Sequence, residues 1–122
     1  MITSFKIFES ESRNELIKKS EIIKNSGDYI NCLSFVQRMT GISDIKKLPK
    51  LGKNLLLTKK GIKNIEFLQE GDILEFNNIT HYSIYIGNEE VIEVEQWGGQ
   101  PRIIPLIDVL NDYEGTTNIY RI

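Results

Sequence analysis

At Gly71 the apolar pattern of the chain changes its period, and this limits the fold more than any other feature. Before Gly71, Leu16, Ile17, Ile22 and Ile23 fall near one face of a helix, and Asn31–Gly41 reads as a second, shorter helix. After it, Asp72–Phe76, Thr80–Ile86 and Glu90–Glu95 alternate with a period of two, as half-buried strands do. Helices first and strands second predict an α+β fold, with helices packed on an antiparallel sheet. The 122 residues form one domain, 1–122, and at 40% hydrophobic they can bury a core without covalent staples.

Local signals refine this outline. Ser12-Arg13-Asn14-Glu15 reads as a capping box that opens the first helix, and Asn25-Ser26-Gly27-Asp28 ends it. Asn31 is a good N-cap for a helix from about Cys32 to Thr40, with Gly41 as its C′ residue. Pro49, Gly52 and Gly61 break up residues 42–70, where loop is expected with a short helix near Lys53–Lys59. Asn77-Asn78 and Gly87-Asn88 supply turns. Arg102–Ile104 and Thr117–Arg121 are further strands, with Leu106–Leu110 a helical turn between them.

Charge is unevenly spread. Residues 1–60 carry a net +6 and residues 61–122 a net −8. Two solvated surfaces of opposite sign explain this, as does a polar groove suited to a zwitterionic substrate. The lysines are interspersed with acids and form no basic stripe with aromatics, so no nucleic-acid partner is expected. No apolar run is long enough to cross a membrane. Met1-Ile2-Thr3-Ser4-Phe5-Lys6 lacks the apolar stretch of a secretory signal. No cysteine–histidine cluster exists to hold zinc, and no cofactor is expected.

The chain has one cysteine, Cys32, and one histidine, His81. Cys32 falls at the first position of a helix, where free backbone amides and the positive end of the dipole favour thiolate over thiol. The same amides could stabilise an oxyanion. A lone cysteine on such a helix also serves simply as a small core residue. His81 opens a strand. With a three-residue turn at Gly87-Asn88-Glu89, Ile86 opposes Glu90, Ser83 opposes Glu93 and His81 opposes Glu95. His81, Ser83, Tyr85, Val91, Glu93 and Glu95 then share one face, and Tyr82, Ile84, Ile86, Ile92 and Val94 form a core face. This register sets His81 away from the main core beside two carboxylates, either of which could fix its tautomer. Trp97-Gly98-Gly99-Gln100 follows, and Trp97 either stacks on a substrate or packs against the sheet.

These segments resemble the NlpC/P60 family of papain-like cysteine peptidases, over residues 29–122. Asn31-Cys32-Leu33-Ser34-Phe35-Val36 is similar to the family's Asp-Cys-Ser-Gly-Phe-Val helix start. Glu70-Gly71-Asp72-Ile73-Leu74 is similar to its Pro-Gly-Asp segment, His81-Tyr82-Ser83-Ile84-Tyr85-Ile86-Gly87 to its histidine strand, and Arg102-Ile103-Ile104-Pro105-Leu106 to the strand that follows. The resemblance implies a catalytic Cys32–His81 pair. It makes Glu93, twelve positions after the histidine, the third catalytic residue, where the family more often has His. CHAP amidases, a sister family, share the order of cysteine and histidine and tolerate Glu in third place. The departures are Asn31 for Asp, Leu33-Ser34 for Ser-Gly, and the absence of a Trp-containing loop before the cysteine. Tyr29 is the nearby aromatic that could offer a substrate-facing hydroxyl in its stead. Asn31, Ser83, Glu95 and Trp97 complete the expected substrate-binding set.

The implied activity is hydrolysis of an amide in bacterial peptidoglycan stem peptides by a monomeric enzyme. A toxin-like effector exported by a dedicated route, opposed by an immunity protein, would fit it. Two alternatives stay open. One is a papain-like hydrolase, deamidase or acyltransferase acting on an intracellular protein or small amide. The other is a catalytically silent binding domain.

Overall fold

A computed structural model describes residues 12–77, 81–95, 97–113 and 115–122. Helix α1 (Arg13–Asn25) starts where the capping box predicts. The Ser12 hydroxyl accepts from the Glu15 amide and donates to the Glu15 carboxylate at 3.1 Å. Helix α2 (Cys32–Thr40) is capped by Asn31, whose Oδ1 accepts from the Ser34 amide at 2.8 Å. Gly41 ends it in the left-handed conformation, φ 74°, that a side chain would resist.

The short helix expected near Lys53–Lys59 is absent. That stretch forms a hairpin of β1 (Leu56–Thr58) and β2 (Gly61–Lys63), and single 3-10 turns occupy Ile45–Lys47 and Ile65–Phe67. The turn chemistry explains the difference. Thr58 Oγ1 donates to the Gly61 carbonyl and accepts from the Lys60 amide, and Gly61 sits at φ 120°. Leu55 bridges to the start of the last strand and draws the segment onto the sheet.

The remaining strands are β3 (Ile73–Phe76), β4 (His81–Gly87), β5 (Glu90–Glu93), β6 (Arg102–Pro105) and β7 (Thr117–Tyr120), with α3 (Leu106–Asp112) before β7. They form one antiparallel sheet in the order β6-β5-β4-β3-β7. The chain is thus α+β, with three helices and a five-stranded antiparallel sheet among the described residues. Thr80 and Asn78, expected to begin a strand and complete a turn, lie outside those residues.

The β4–β5 hairpin departs locally from the expected register. Its loop has two residues, Asn88 and Glu89, both left-handed at φ 52° and 57°, and Gly87 rather than Ile86 pairs with Glu90. An irregularity between Tyr85 and Gly87 absorbs the offset, so Tyr85 still faces Val91 and Ile84 still faces Ile92.

Both faces of the sheet are covered. Phe35, Val36 and Met39 of α2, with Leu16 and Ile23 of α1, pack on Ile73, Tyr82, Ile84, Ile86, Ile92 and Val94. On the other face Leu106, Val109 and Leu110 of α3, with Leu55, pack on Leu74, Phe76, Tyr85, Val91 and Ile119. His81 faces away from the core under α2, as expected, but not toward solvent. Its face carries a second core, and the imidazole is fully buried.

Candidate active site

Helix α2 lies across the Tyr82–Ile84–Ile92 face, and its first residue, Cys32, reaches the start of β4. Asn31 organises this helix end. Its side chain takes the Ser34 amide and its carbonyl takes the Phe35 amide at 2.9 Å. The Leu33 amide faces the Cys32 thiol instead. Cys32 is nearly buried, at 6% exposure. Burial opposes ionisation of its thiol. The neighbouring His81 ring, the Tyr82 amide, the imidazolium charge and the Leu33 amide outweigh it and lower the thiol below its ordinary value of 9.0.

His81 Nε2 lies 2.8 Å from Glu93 Oε1, which also accepts from Ser83 Oγ at 2.8 Å. Glu93 is 2% exposed, and its Oε2 accepts from Arg102 at 3.2 Å. Burial alone would raise this carboxyl. The His81 hydrogen bond and charge, Ser83 and Arg102 hold it below its ordinary 4.5 instead. Glu93 is thus an anion at neutral pH, so Nε2 carries the proton and donates. Nδ1 is the nitrogen left for the thiol. It is buried and meets no hydrogen-bond partner among the described residues. Burial also works against charging His81. The nearby Cys32 thiol and the Glu93 hydrogen bond and charge win, and its pKa rises to about 9. Both shifts run in the direction that favours a thiolate beside an imidazolium.

The choice between two carboxylates follows from the register. The alignment of Ile84 with Ile92 carries on to set Ser83 across from Glu93, which leaves His81 as the diagonal neighbour on the same face. Strand β5 ends at Glu93, and Glu95 turns outward, where it meets Arg102 at 3.1 Å with 60% of its side chain exposed. Glu95 therefore does not touch the imidazole. Ser83 was expected to meet substrate, but it is fully buried and supports Glu93. The Asn31 side chain is committed to capping.

Tyr29 and Trp97 do stand in solvent, 77% and 83% exposed. Their loops are joined just before Cys32. The Gly99 amide donates to the Ile30 carbonyl at 3.1 Å, and Gly98 lies so close to the Tyr29 ring that a Cβ there would collide with it. The two aromatics are thus held near the helix end that bears the thiol.

Three contributors escaped the sequence reading. Arg102 pairs directly across from Glu93 in the β5–β6 ladder, a register that could have revealed it. Tyr113, just after α3, stacks on His81 with ring centroids 4.4 Å apart. A cavity of about 310 Å³ lined by Leu55, Leu56, Leu57, Leu110 and Tyr113 opens beside it. Glu75 accepts from Tyr82 Oη at 2.8 Å, Asn118 Nδ2 at 2.9 Å and Tyr120 Oη at 3.4 Å. This anchors Tyr82, whose backbone amide faces the thiol. Among the described residues no cluster of His, Cys, Asp or Glu is arranged to hold a metal, and no helix is long and apolar enough to cross a membrane.

Removing the Glu93 charge should move the whole titration. Glu93→Gln leaves burial as the dominant influence on the imidazole, so the pKa of His81 falls from about 9 toward its ordinary 6.5 or below. A raised pKa stabilises the fold fully below 6.5, and that contribution fades as pH rises through about 9. The variant loses it at neutral pH. NMR titration of the sole histidine checks this. A curve that matches wild type would reject Glu93 as the partner. No family model, curated protein or solved structure matches the chain.

Proposed function

We propose that the chain is a cysteine hydrolase with a papain-like arrangement of its α+β fold, and that it cleaves an amide in bacterial peptidoglycan stem peptides. The observation that carries this reading is the buried His81–Glu93 pair, with Cys32 on a helix N-terminus beside it and each shifting the other's pKa. The NlpC/P60-like order of Asn31-Cys32, Gly71-Asp72 and His81 supplies the substrate class.

In this mechanism the Cys32 thiolate attacks the scissile carbonyl carbon, and the electron pair of the C=O bond moves to oxygen. Backbone amides at the start of α2 stabilise that oxyanion. The C–N bond then breaks as His81 Nδ1 gives its proton to the leaving amine, and a thioester remains on Cys32. Neutral His81 next takes a proton from water. The resulting hydroxide attacks the thioester and releases the acid, and the thiolate–imidazolium pair is restored. Glu93 stays ionised throughout and holds the imidazole in one tautomer. Trp97 and Tyr29 flank the entrance and contact the peptide beyond the reacting bond.

Purified muropeptides incubated with the protein should yield shortened stems that have gained one water, read by mass spectrometry. Cys32→Ala should yield none. Intact stems with the wild-type protein overturn the substrate, and cleavage that survives Cys32→Ala overturns the mechanism.

A further inference from the structure

We infer that Tyr113 is a positioning residue for the His81 imidazole, holding the plane of the ring so that Nδ1 meets Cys32. This inference rests on the Cys32–His81 chemistry proposed above but not on the identity of the substrate.

The imidazole is anchored along its edge by one strong hydrogen bond, Nε2 to Glu93. A single bond through one atom leaves the ring free to turn about that axis, and turning swings Nδ1 off the thiol. Contact with a ring face is what stops it. Tyr113 supplies that contact, lying nearly parallel to His81, with 6° between planes and 4.4 Å between centroids. Phe76 makes a tilted contact at 5.9 Å. The tyrosine is itself held at its base. Its amide donates to the Val109 carbonyl at 2.9 Å, and Leu106, Val109 and Leu110 lock α3 into the second core.

Exposure adds a second role. His81 is fully buried, whereas Tyr113 is only partly so, which makes the phenol ring a cover over the imidazole. A cover of this kind keeps water off the thiolate–imidazolium pair, and its π face favours the charged ring. The charged groups acting on His81 are Cys32 from α2 and Glu93 from β5, with Arg102 of β6 behind Glu93. Tyr113 acts on this set through its ring. Burial and the charges of Glu93 and Cys32 raise its phenol pKa, so it stays neutral where the pair is ionised.

The test uses no substrate. The chain has one cysteine and one histidine, so iodoacetamide labelling reports on Cys32 and imidazole NMR on His81 without assignment. In wild type, stacking should displace the His81 ring-proton resonances to high field. Tyr113→Phe keeps the ring and should keep both the displacement and the labelling midpoint. Tyr113→Leu should abolish the displacement, lower the pKa of His81 and slow labelling at pH 7 by about 5- to 30-fold. A folded Tyr113→Leu with a wild-type labelling profile would falsify the inference. So would the absence of a high-field displacement in wild type, which needs no variant to fold. If stems stay intact while these results hold, the substrate is wrong and Tyr113 keeps its role.

Discussion

Replacement of His81 by Ala should lower turnover by about 10²- to 10⁴-fold, the usual contribution of a positioned general acid and base. It should also change the nucleophile. After burial, the neighbouring His81 ring is the largest influence on the Cys32 thiol, and the imidazolium charge adds to it. Without both, burial is opposed only by the amides of Tyr82 and Leu33, so the thiol returns toward its ordinary range or above it. Labelling by iodoacetamide, which needs only the thiolate, should shift its midpoint upward and slow at pH 7. The two readouts separate roles. Slower catalysis with an unchanged labelling midpoint would leave His81 as an acid and base for the substrate but not as the ion-pair partner of Cys32. A midpoint and a turnover both unchanged would remove His81 from the site altogether.

Much of this arrangement was legible in the sequence because local chemistry and global fold agree there. Ser12 with Glu15, Asn31 and Gly41 mark helix ends through backbone hydrogen-bonding needs that distant residues do not alter. The two-residue alternation from Asp72 onward marked the central strands for the same reason. It failed where its premise failed. A strand with one dry and one wet face shows its faces, but His81, Ser83 and Glu93 are polar and still buried, because α3 and Leu55 cover their face. Their polarity is satisfied among themselves, which no pattern of apolar residues announces. The hairpin at Leu56–Lys63 was hidden because three consecutive leucines carry no period. Its turn is set by Thr58 and Gly61, and its place by pairing of Leu55 with Thr117, far along the chain. Tyr113 gave no signal. Its role depends on where α3 stops, and that is decided by packing. Glu93 prevailed over Glu95 through register, since one strand ends just short of the rival.

The motif Gly71-Asp72 yields the second large expected effect, on stability. Asp72 is fully buried, and Arg121 grips it with both arms, Nε to Oδ1 at 2.8 Å and a terminal nitrogen to Oδ2 at 2.7 Å. The Gln69 amide adds a third bond at 2.8 Å, and Arg121 also donates to the Phe67 carbonyl at 2.7 Å. This one pair ties the last strand to the loop that enters β3. Arg121→Met keeps the length of the side chain and removes the charge, leaving a buried carboxylate without its cation. Loss of one partner of such a pair costs about 3–5 kcal/mol, a large share of the ~5–15 kcal/mol that holds a domain together. Urea denaturation should show the midpoint falling with little change in slope. The double variant Asp72→Asn, Arg121→Met should recover part of the loss, because no buried charge is then left unpaired. Arg121→Lys should fall between, since a single ammonium cannot match both carboxylate oxygens. A loss below about 1 kcal/mol for Arg121→Met would place the pair among weak surface bridges and overturn its structural role. Gly71 and Asp72 also exchange backbone hydrogen bonds with Tyr85 on β4, the strand that His81 opens. A variant that stays folded should therefore also lose activity, as the strand bearing the imidazole loosens.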